Sequence, residues 1–183
     1  MKMIKFNVAS INRCTEAEGP YKRLCIWFQG CNIHCRGCCN PDYQAIVPGH
    51  IMSLEELMEI IQTSKKEYDI EGVTYTGGEP TLQRNLPALT AKIQKMGLGV
   101  ICFTGRQYEE IAQILAGCDA VLDGPYMQKH RDEKRRIIGS ENQRILCLTD
   151  RYQNCIEDWF SVEQGRTVEV NFGAKTILNG DCL

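Results

Sequence analysis

At 183 residues and a formal net charge of −2, the chain is long enough to bury a core of its own and has no global pull toward nucleic acid or an anionic membrane. No apolar run approaches the roughly 20 residues of a membrane span, and Met1-Lys2-Met3-Ile4-Lys5 lacks the continuous apolar stretch of a secretory leader. Eleven cysteines in such a chain are expected in a reducing cytoplasm, as metal ligands or packed apolar residues rather than as disulfides.

Ile4 to Val8 alternates apolar and polar residues, the pattern of a half-buried strand at a sheet edge. Cys14 to Lys22 is polar and turn-rich. Arg23 follows at a strand entrance, where it reads first as a surface salt-bridge partner and second as a cation for a bound anion. Leu24 to Phe28 is a buried strand, and the loop Gly30 to Asn40, GCNIHCRGCCN, leaves its end.

Cys31, Cys35 and Cys38 in that loop have C-x3-C-x2-C spacing. Three thiolates on so short a loop converge on one soft centre, and thiolate sulfur selects iron–sulfur clusters, zinc or copper(I) over hard cations. A closed structural site wants a fourth ligand, normally from a second short Cys pair, and none is present. Cys39 adjoins Cys38, and neighbouring residues rarely reach the same tetrahedral ion. The economical reading is a four-iron four-sulfur cluster held by three cysteines, with one iron open to a small ligand. Cys14, Cys25, Cys102, Cys118, Cys147, Cys155 and Cys182 read as packed or idle thiols.

Asn40-Pro41-Asp42 marks a turn, and little periodicity follows to Gly49. Ser53-Leu54-Glu55-Glu56 is a capping box that opens a helix from Ser53 to about Ser64, with Leu54, Leu57, Met58 and Ile61 on one stripe. Val73 and Tyr75 belong to a strand ending in Thr76-Gly77-Gly78-Glu79-Pro80. Pro87 introduces a helix that Gly97 closes, with Leu86, Leu89, Ile93 and Met96 toward the sheet. Leu98 to Phe103 is a strand covered on both faces. Gln107 to Ala116 reads as a helix and Ala120 to Leu122 as the next strand. Alternating strands and helices with short links predict right-handed crossovers and a parallel sheet. Ligands sit beyond the carboxyl ends of such strands, where the Gly-Gly-Glu, Thr104-Gly105 and Asp123-Gly124 turns all lie. The basic run Lys129 to Arg136 reads first as a solvated loop and second as a docking surface. Ser140, Asn142 and Gln143 either contact a ligand or cap a helix through Cys147. Val168 to Phe172, Gly173-Ala174 and Lys175 to Leu178 read as a β-hairpin covering an open sheet edge, with Trp159 and Phe160 beneath it.

The cysteine loop together with the Gly77-Gly78-Glu79 turn resembles the radical S-adenosylmethionine (SAM) enzymes. Within them the chain is most similar to the glycyl-radical activating group, on Gly19-Pro20, Arg23, Gly30, Gly37, Asn40, Phe103-Thr104-Gly105, Val121-Leu122-Asp123-Gly124 and Gly139-Ser140-Glu141-Asn142-Gln143. The resemblance spans roughly residues 15 to 147. It implies an α/β fold, a partial, open (β/α) barrel with a parallel sheet, as one domain over 1–183 with an extension from 148. It also implies an oxidoreductase in which Cys31, Cys35 and Cys38 hold the cluster and SAM chelates the open iron. Gly77, Gly78 and Glu79 would then meet the methionine end, Gly37, Cys38 and Cys39 the adenine, and Thr104 and Asp123 the ribose or methionine. Asn40, Ser140, Asn142 and Gln143 would contact the ligand or a partner loop. The implied partners are a glycyl-radical enzyme of the anaerobic ribonucleotide reductase kind and a flavodoxin- or ferredoxin-like electron donor, with no nucleic acid and no membrane. Cys39 and the C-terminal segment depart from the group's usual pattern. From the residues alone, a radical SAM enzyme of other specificity, a non-catalytic zinc or iron–sulfur module and an iron–sulfur electron carrier stand beside this reading.

Overall fold

The computed structural model describes residues 3–161, 167–171 and 177–180. Nine strands and four helices follow in order among them: β1 Lys5–Thr15, β2 Arg23–Phe28, β3 His50–Ser53, α1 Leu54–Tyr68, β4 Gly72–Gly77, α2 Leu86–Lys95, β5 Gly99–Phe103, α3 Tyr108–Ile111, β6 Ala120–Asp123, β7 Arg144–Cys147, α4 Ile156–Phe160, β8 Val168–Asn171 and β9 Ile177–Gly180.

Strands β3-β1-β2-β4-β5-β6-β7 form one seven-stranded sheet in that order. The four central strands, β2, β4, β5 and β6, run parallel, and β1, β3 and β7 add antiparallel neighbours at the two sides. The two ends do not pair with each other, so the barrel stays open. The Ile4–Val8 segment is therefore not an edge: β3 covers β1 with the register Lys5↔Ser53 to Val8↔His50. That short strand lies just after the stretch without periodicity, which ends at Gly49, and its partner rather than its own pattern fixes it.

Helix α1 starts where the capping box places it. Ser53 Oγ accepts from Glu56 N at 3.2 Å, and Glu56 Oε2 accepts from Ser53 N at 2.7 Å. The helix runs four residues past the expected end, to Tyr68, and Asp69 closes it with φ 55°. Leu57, Ile61, Leu86, Leu89 and Ile93 are fully buried against Val73, Tyr75, Val100 and Val121 on one sheet face. Each such side chain contributes about 1.5–3 kcal/mol. The other face packs Ile101, Ala120 and Leu122 under Ile138, Tyr152, Ile156 and Phe160.

Helix α3 is shorter than the Gln107–Ala116 pattern predicts. Ile111 and Leu115 do reach the core, but the backbone after Ile111 tightens into three-residue turns, Ile114 N to Ile111 O at 2.9 Å and Cys118 N to Leu115 O at 3.0 Å. No helix runs through Cys147. Residues 144–147 form β7, in register Ala120↔Cys147 to Asp123↔Arg144.

Arg23 is not at the surface. Its guanidinium is fully buried at the amino end of the sheet, where it donates to Thr74 Oγ1 at 2.8 Å, Val73 O at 3.0 Å, Glu71 Oε2 at 3.1 Å and Tyr152 Oη at 2.9 Å. Tyr152 Oη in turn donates to Glu71 Oε2 at 2.6 Å. Burial pushes the phenol's pKa up, so it stays a donor. The end of the sheet opposite the cysteine loop is thereby locked.

The hairpin strands β8 and β9 pair with each other and not with the main sheet. Glu169 Oε1 accepts from Glu16 N at 2.9 Å and Glu18 Oε1 from Gly180 N at 2.9 Å, so the hairpin lies against the turn after β1 and, among the described residues, extends no sheet edge. Its expected turn, Gly173-Ala174, lies outside the described residues. Phe160 sits edge-on to Phe103 at 6.4 Å, and Trp159 lies under the Arg136 guanidinium at 4.1 Å. Among the described residues no helix is long and apolar enough to cross a membrane.

Candidate functional site

The exits of β2 and β4 are stitched together before the cysteines begin. Gly78 N donates to Phe28 O and Glu79 N to Gly30 O, each at 2.8 Å. A Cβ on Gly77, whose φ is +109°, would stand 2.4 Å from Phe28 N, and one on Gly78 would stand 2.3 Å from Gly30 O. These glycines are thus required first by backbone packing against the cluster loop. The loop is pinned from the other side by the turn at Pro41–Tyr43, through Gly30 N to Tyr43 O and Cys31 N to Gln44 O, both 2.9 Å.

Within the loop, backbone amides point at sulfur. Ile33 N lies 3.4 Å from Cys31 Sγ, and Asn40 N lies 3.4 Å from Cys38 Sγ. The Cys35 thiol is pushed up by burial, against the pull of a Tyr126 backbone N–H, and pushed further by Cys38 and Cys31. All three cysteines line one cavity, and a shared cationic centre there would relieve the mutual opposition of their thiolates. Among the described residues no three His, Cys, Asp or Glu stand ready to hold a single metal ion. Three cysteines spaced around one cavity suit a cluster that takes one thiolate per iron.

That cavity, of about 420 Å³, opens beyond the carboxyl ends of β4, β5 and β6. Cys31, Cys35, Gly37, Cys38 and Cys39 line one wall; Gly78, Glu79 and Thr104 line the floor. The third wall runs from Tyr126 to Gly139 with Gln143; Gln143 is an expected ligand contact, whereas the basic run before it reads from sequence only as a solvated loop or a docking surface. Its signal was the spacing of Asp132 and Arg135: buried Asp132 accepts from Arg135 Nε at 2.6 Å and from the amides of Lys134 and Arg135 at 2.8 and 2.9 Å, folding the basic run into a fixed loop.

Glu79 is the hub of the floor and is 1% exposed. Its Oε1 accepts from Thr81 Oγ1 at 2.6 Å, Thr81 N at 3.0 Å and Thr104 Oγ1 at 2.8 Å, and its Oε2 accepts from Gly105 N at 3.0 Å. The carboxylate thus ties the β4 exit to the β5 exit. Ile33 closes over the same turn, since a Cβ on Gly105 would stand 2.6 Å from Ile33 Cδ1, and Arg106 Nη2 donates to Asn32 Oδ1 at 2.8 Å.

Other expected residues are not brought to the cavity wall. Gly77 lies behind it against Phe28. Asp123 is fully buried; its carboxylate caps Tyr108 N at 2.8 Å and is held by Arg144 Nε at 2.9 Å. Asn40 offers its amide to Cys38 and its carbonyl to Tyr43. Ser140 Oγ accepts from Met127 N at 3.0 Å, and Asn142 Nδ2 donates to Pro125 O at 2.8 Å, so both brace the third wall from behind. Gln143 does both: it lines the cavity, and its Oε1 accepts from the Gly139 and Ser140 amides at 3.0 Å. The remaining cysteines in described positions are free, and Cys25, Cys102 and Cys118 are buried, the last pushed up to about 12. Cys182 lies outside the described residues.

A family described as "4Fe-4S single cluster domain" matches residues 17–146. The chain is 29% identical over 151 residues to the anaerobic ribonucleoside-triphosphate reductase-activating protein of Enterobacteria phage T4, covering 79% of this chain and 96% of that one. It is 32% identical over 124 residues to the pyruvate formate-lyase-activating enzyme of Clostridium pasteurianum, but spans only 52% of that protein's length. A crystal structure of QueE from Escherichia coli overlaps 55% of the chain with a TM-score of 0.47 and 21% identity. With the family matched over most of its length and three cysteines gathered on one cavity, the chain belongs to the 4Fe-4S single cluster domain family of radical SAM proteins.

Proposed function

We propose that the protein is an activating enzyme that uses SAM to take a hydrogen atom from a backbone glycine of an anaerobic ribonucleotide reductase. The observation that carries this is the shared cavity: three cysteines of one loop face the Gly78-Glu79 turn across a space open to a partner. Extent of overlap favours the reductase over a formate-lyase partner, since the phage relative is covered almost end to end and the lyase activators over 52% and 62% of their length.

The cluster and SAM, when bound, supply a one-electron cleavage of the sulfonium that leaves methionine and a 5′-deoxyadenosyl radical. Cys31, Cys35 and Cys38 would hold three irons, and the amides of Ile33 and Asn40, 3.4 Å from two of these sulfurs, would temper their charge. Glu79, clamped by Thr81 and Thr104, keeps lone-pair capacity on Oε2 for the ammonium group of SAM. Gly37, Cys39 and Ile33 shape the adenine side. Phe103, Leu122 and Ile138 give the cavity apolar walls that exclude water once a partner loop enters. The protein works as one domain in the cytoplasm, fed by a flavodoxin- or ferredoxin-like donor and without nucleic acid.

Anaerobic reconstitution with iron and sulfide, reduction with dithionite and addition of SAM tests the chemistry. Intact protein is expected to form 5′-deoxyadenosine and a Cys35→Ala variant none. Adding the reductase is expected to give a glycyl-radical resonance. No nucleoside, with one zinc per chain, refutes the catalytic reading; nucleoside without a glycyl radical on the reductase refutes the partner.

A further inference from the structure

Within a chain of net charge −2, the surface around the cysteine loop is locally basic. His34 and Arg36 are exposed between the ligand cysteines. The one-turn helix Gln128–His130 is brought against the same loop, for a Cβ on Gly37 would stand 3.2 Å from Gln128 Nε2. Lys129 and His130 on that turn are exposed, and exposed Arg131 reaches the cavity beside Cys35 and Cys38. Asp132 is buried and neutralised by Arg135, which leaves Asp42, Glu133 and Glu141 as the exposed acids nearby in the same segments.

We infer that this rim is the docking surface for an acidic one-electron donor protein, oriented by Arg36, Lys129 and Arg131. The inference rests on the function proposed above and names the site where its electron enters. One electron leaves the donor's reduced cofactor, which is oxidised by one, and enters the cluster, which is reduced by one; no atom is transferred. Arg36 lies between two ligand cysteines, so a donor seated there is separated from the metal by the loop alone. Charged rims set encounter rate and orientation more than raw affinity, as a carrier that must leave after each electron requires. Complexes of this kind bury less than about 1,200 Å². The glycine-bearing partner has a different need, entry into a cavity walled by Phe103, Leu122 and Ile138.

The test uses reconstituted holoprotein, an acidic flavodoxin as donor, and the variants Lys129→Glu and Arg36→Glu/Lys129→Glu. Anisotropy of labelled oxidised flavodoxin reads docking, and stopped-flow absorbance with the reduced form reads electron entry. At low salt the double variant is expected to lose at least tenfold in both, the single variant about threefold, and the salt dependence to flatten. Reduction by an uncharged photoreduced deazaflavin and iron content are expected to be unchanged. Wild-type flavodoxin binding in the double variant overturns the proposal, as does an equal loss with both reductants. Failure of the unaltered protein to cleave SAM with deazaflavin overturns the proposed function instead, and the anisotropy still decides the docking.

Discussion

Glu79→Gln tests the floor of the cavity most directly. The carboxylate accepts four hydrogen bonds while 1% exposed. A glutamine has one acceptor oxygen. Its best placement keeps that oxygen where Oε1 sits, with Thr81 and Thr104, and turns the amide nitrogen toward Gly105 N, donor against donor. One hydrogen bond to a charged acceptor is lost and a buried amide is left unmatched, together about 2–3 kcal/mol. For a protein of this size that is about 4–12 °C in melting temperature. Urea unfolding of the anaerobic apoprotein measures it, with an unchanged m-value as the sign that only stability moved. A Glu79→Gln/Thr104→Val cycle apportions the effect: Thr104 bonds both Glu79 Oε1 and Arg106 N, so the two substitutions are expected to couple. SAM affinity of the holoprotein, read by equilibrium dialysis, is expected to fall at least tenfold. A loss of stability under about 0.5 kcal/mol, or strict additivity with Thr104→Val, refutes the view of Glu79 as the hub.

Arg23→Met is expected to destabilise by about 3–5 kcal/mol, because Thr74 Oγ1, Val73 O and Tyr152 Oη each lose a buried donor, at about 1–3 kcal/mol apiece, while Glu71 keeps Arg151; near-ultraviolet dichroism and urea titration report it. Ser53→Ala removes one half of the α1 cap and is expected to lower stability by about 1 kcal/mol without altering the cluster spectrum. The Ser53 amide and hydroxyl hold the Glu56 carboxyl below its ordinary 4.5. A depressed folded-state value means the contribution is present above pH 4.5 and lost as pH falls through the lowered value, so the melting difference between wild type and Glu56→Gln is expected at pH 7 and absent in strong acid. Gly105→Ala puts a methyl 2.6 Å from Ile33 Cδ1, a yielding side-chain end, so KM for SAM is expected to rise several-fold with little change in melting temperature.

What could be read in the chain was whatever its own neighbours decide. The cap at Ser53, the apolar runs of β2 and β5, and the spacing of Cys31, Cys35 and Cys38 are local chemistry, and the structure carries all of them. What could not be read depends on a distant partner. β3 and β7 are four residues each and exist because β1 and β6 offer them edges. Asp123 ends a strand at the right rim, yet Arg144, 21 residues on, turns its carboxylate aside. Gly77 and Gly78 announce close approach but not whose; the nearest atoms prove to be the backbone of Phe28 and Gly30. The third cavity wall hid inside a basic run whose acid, Asp132, looked like one charge among many.

The far end of the sheet also sets an order of events during synthesis. Glu71 and Tyr152, which together close around Arg23, are 81 residues apart. At about 5–20 residues per second on the ribosome, Tyr152 follows Glu71 out by about 4–16 s. Throughout that interval the cysteine loop has already emerged while the face under Tyr152, Ile156 and Phe160 is still open. Three unligated thiols on an open chain are exposed in that interval to any oxidant present. Growth conditions are therefore expected to mark the yield of loadable protein before any of it has finished folding.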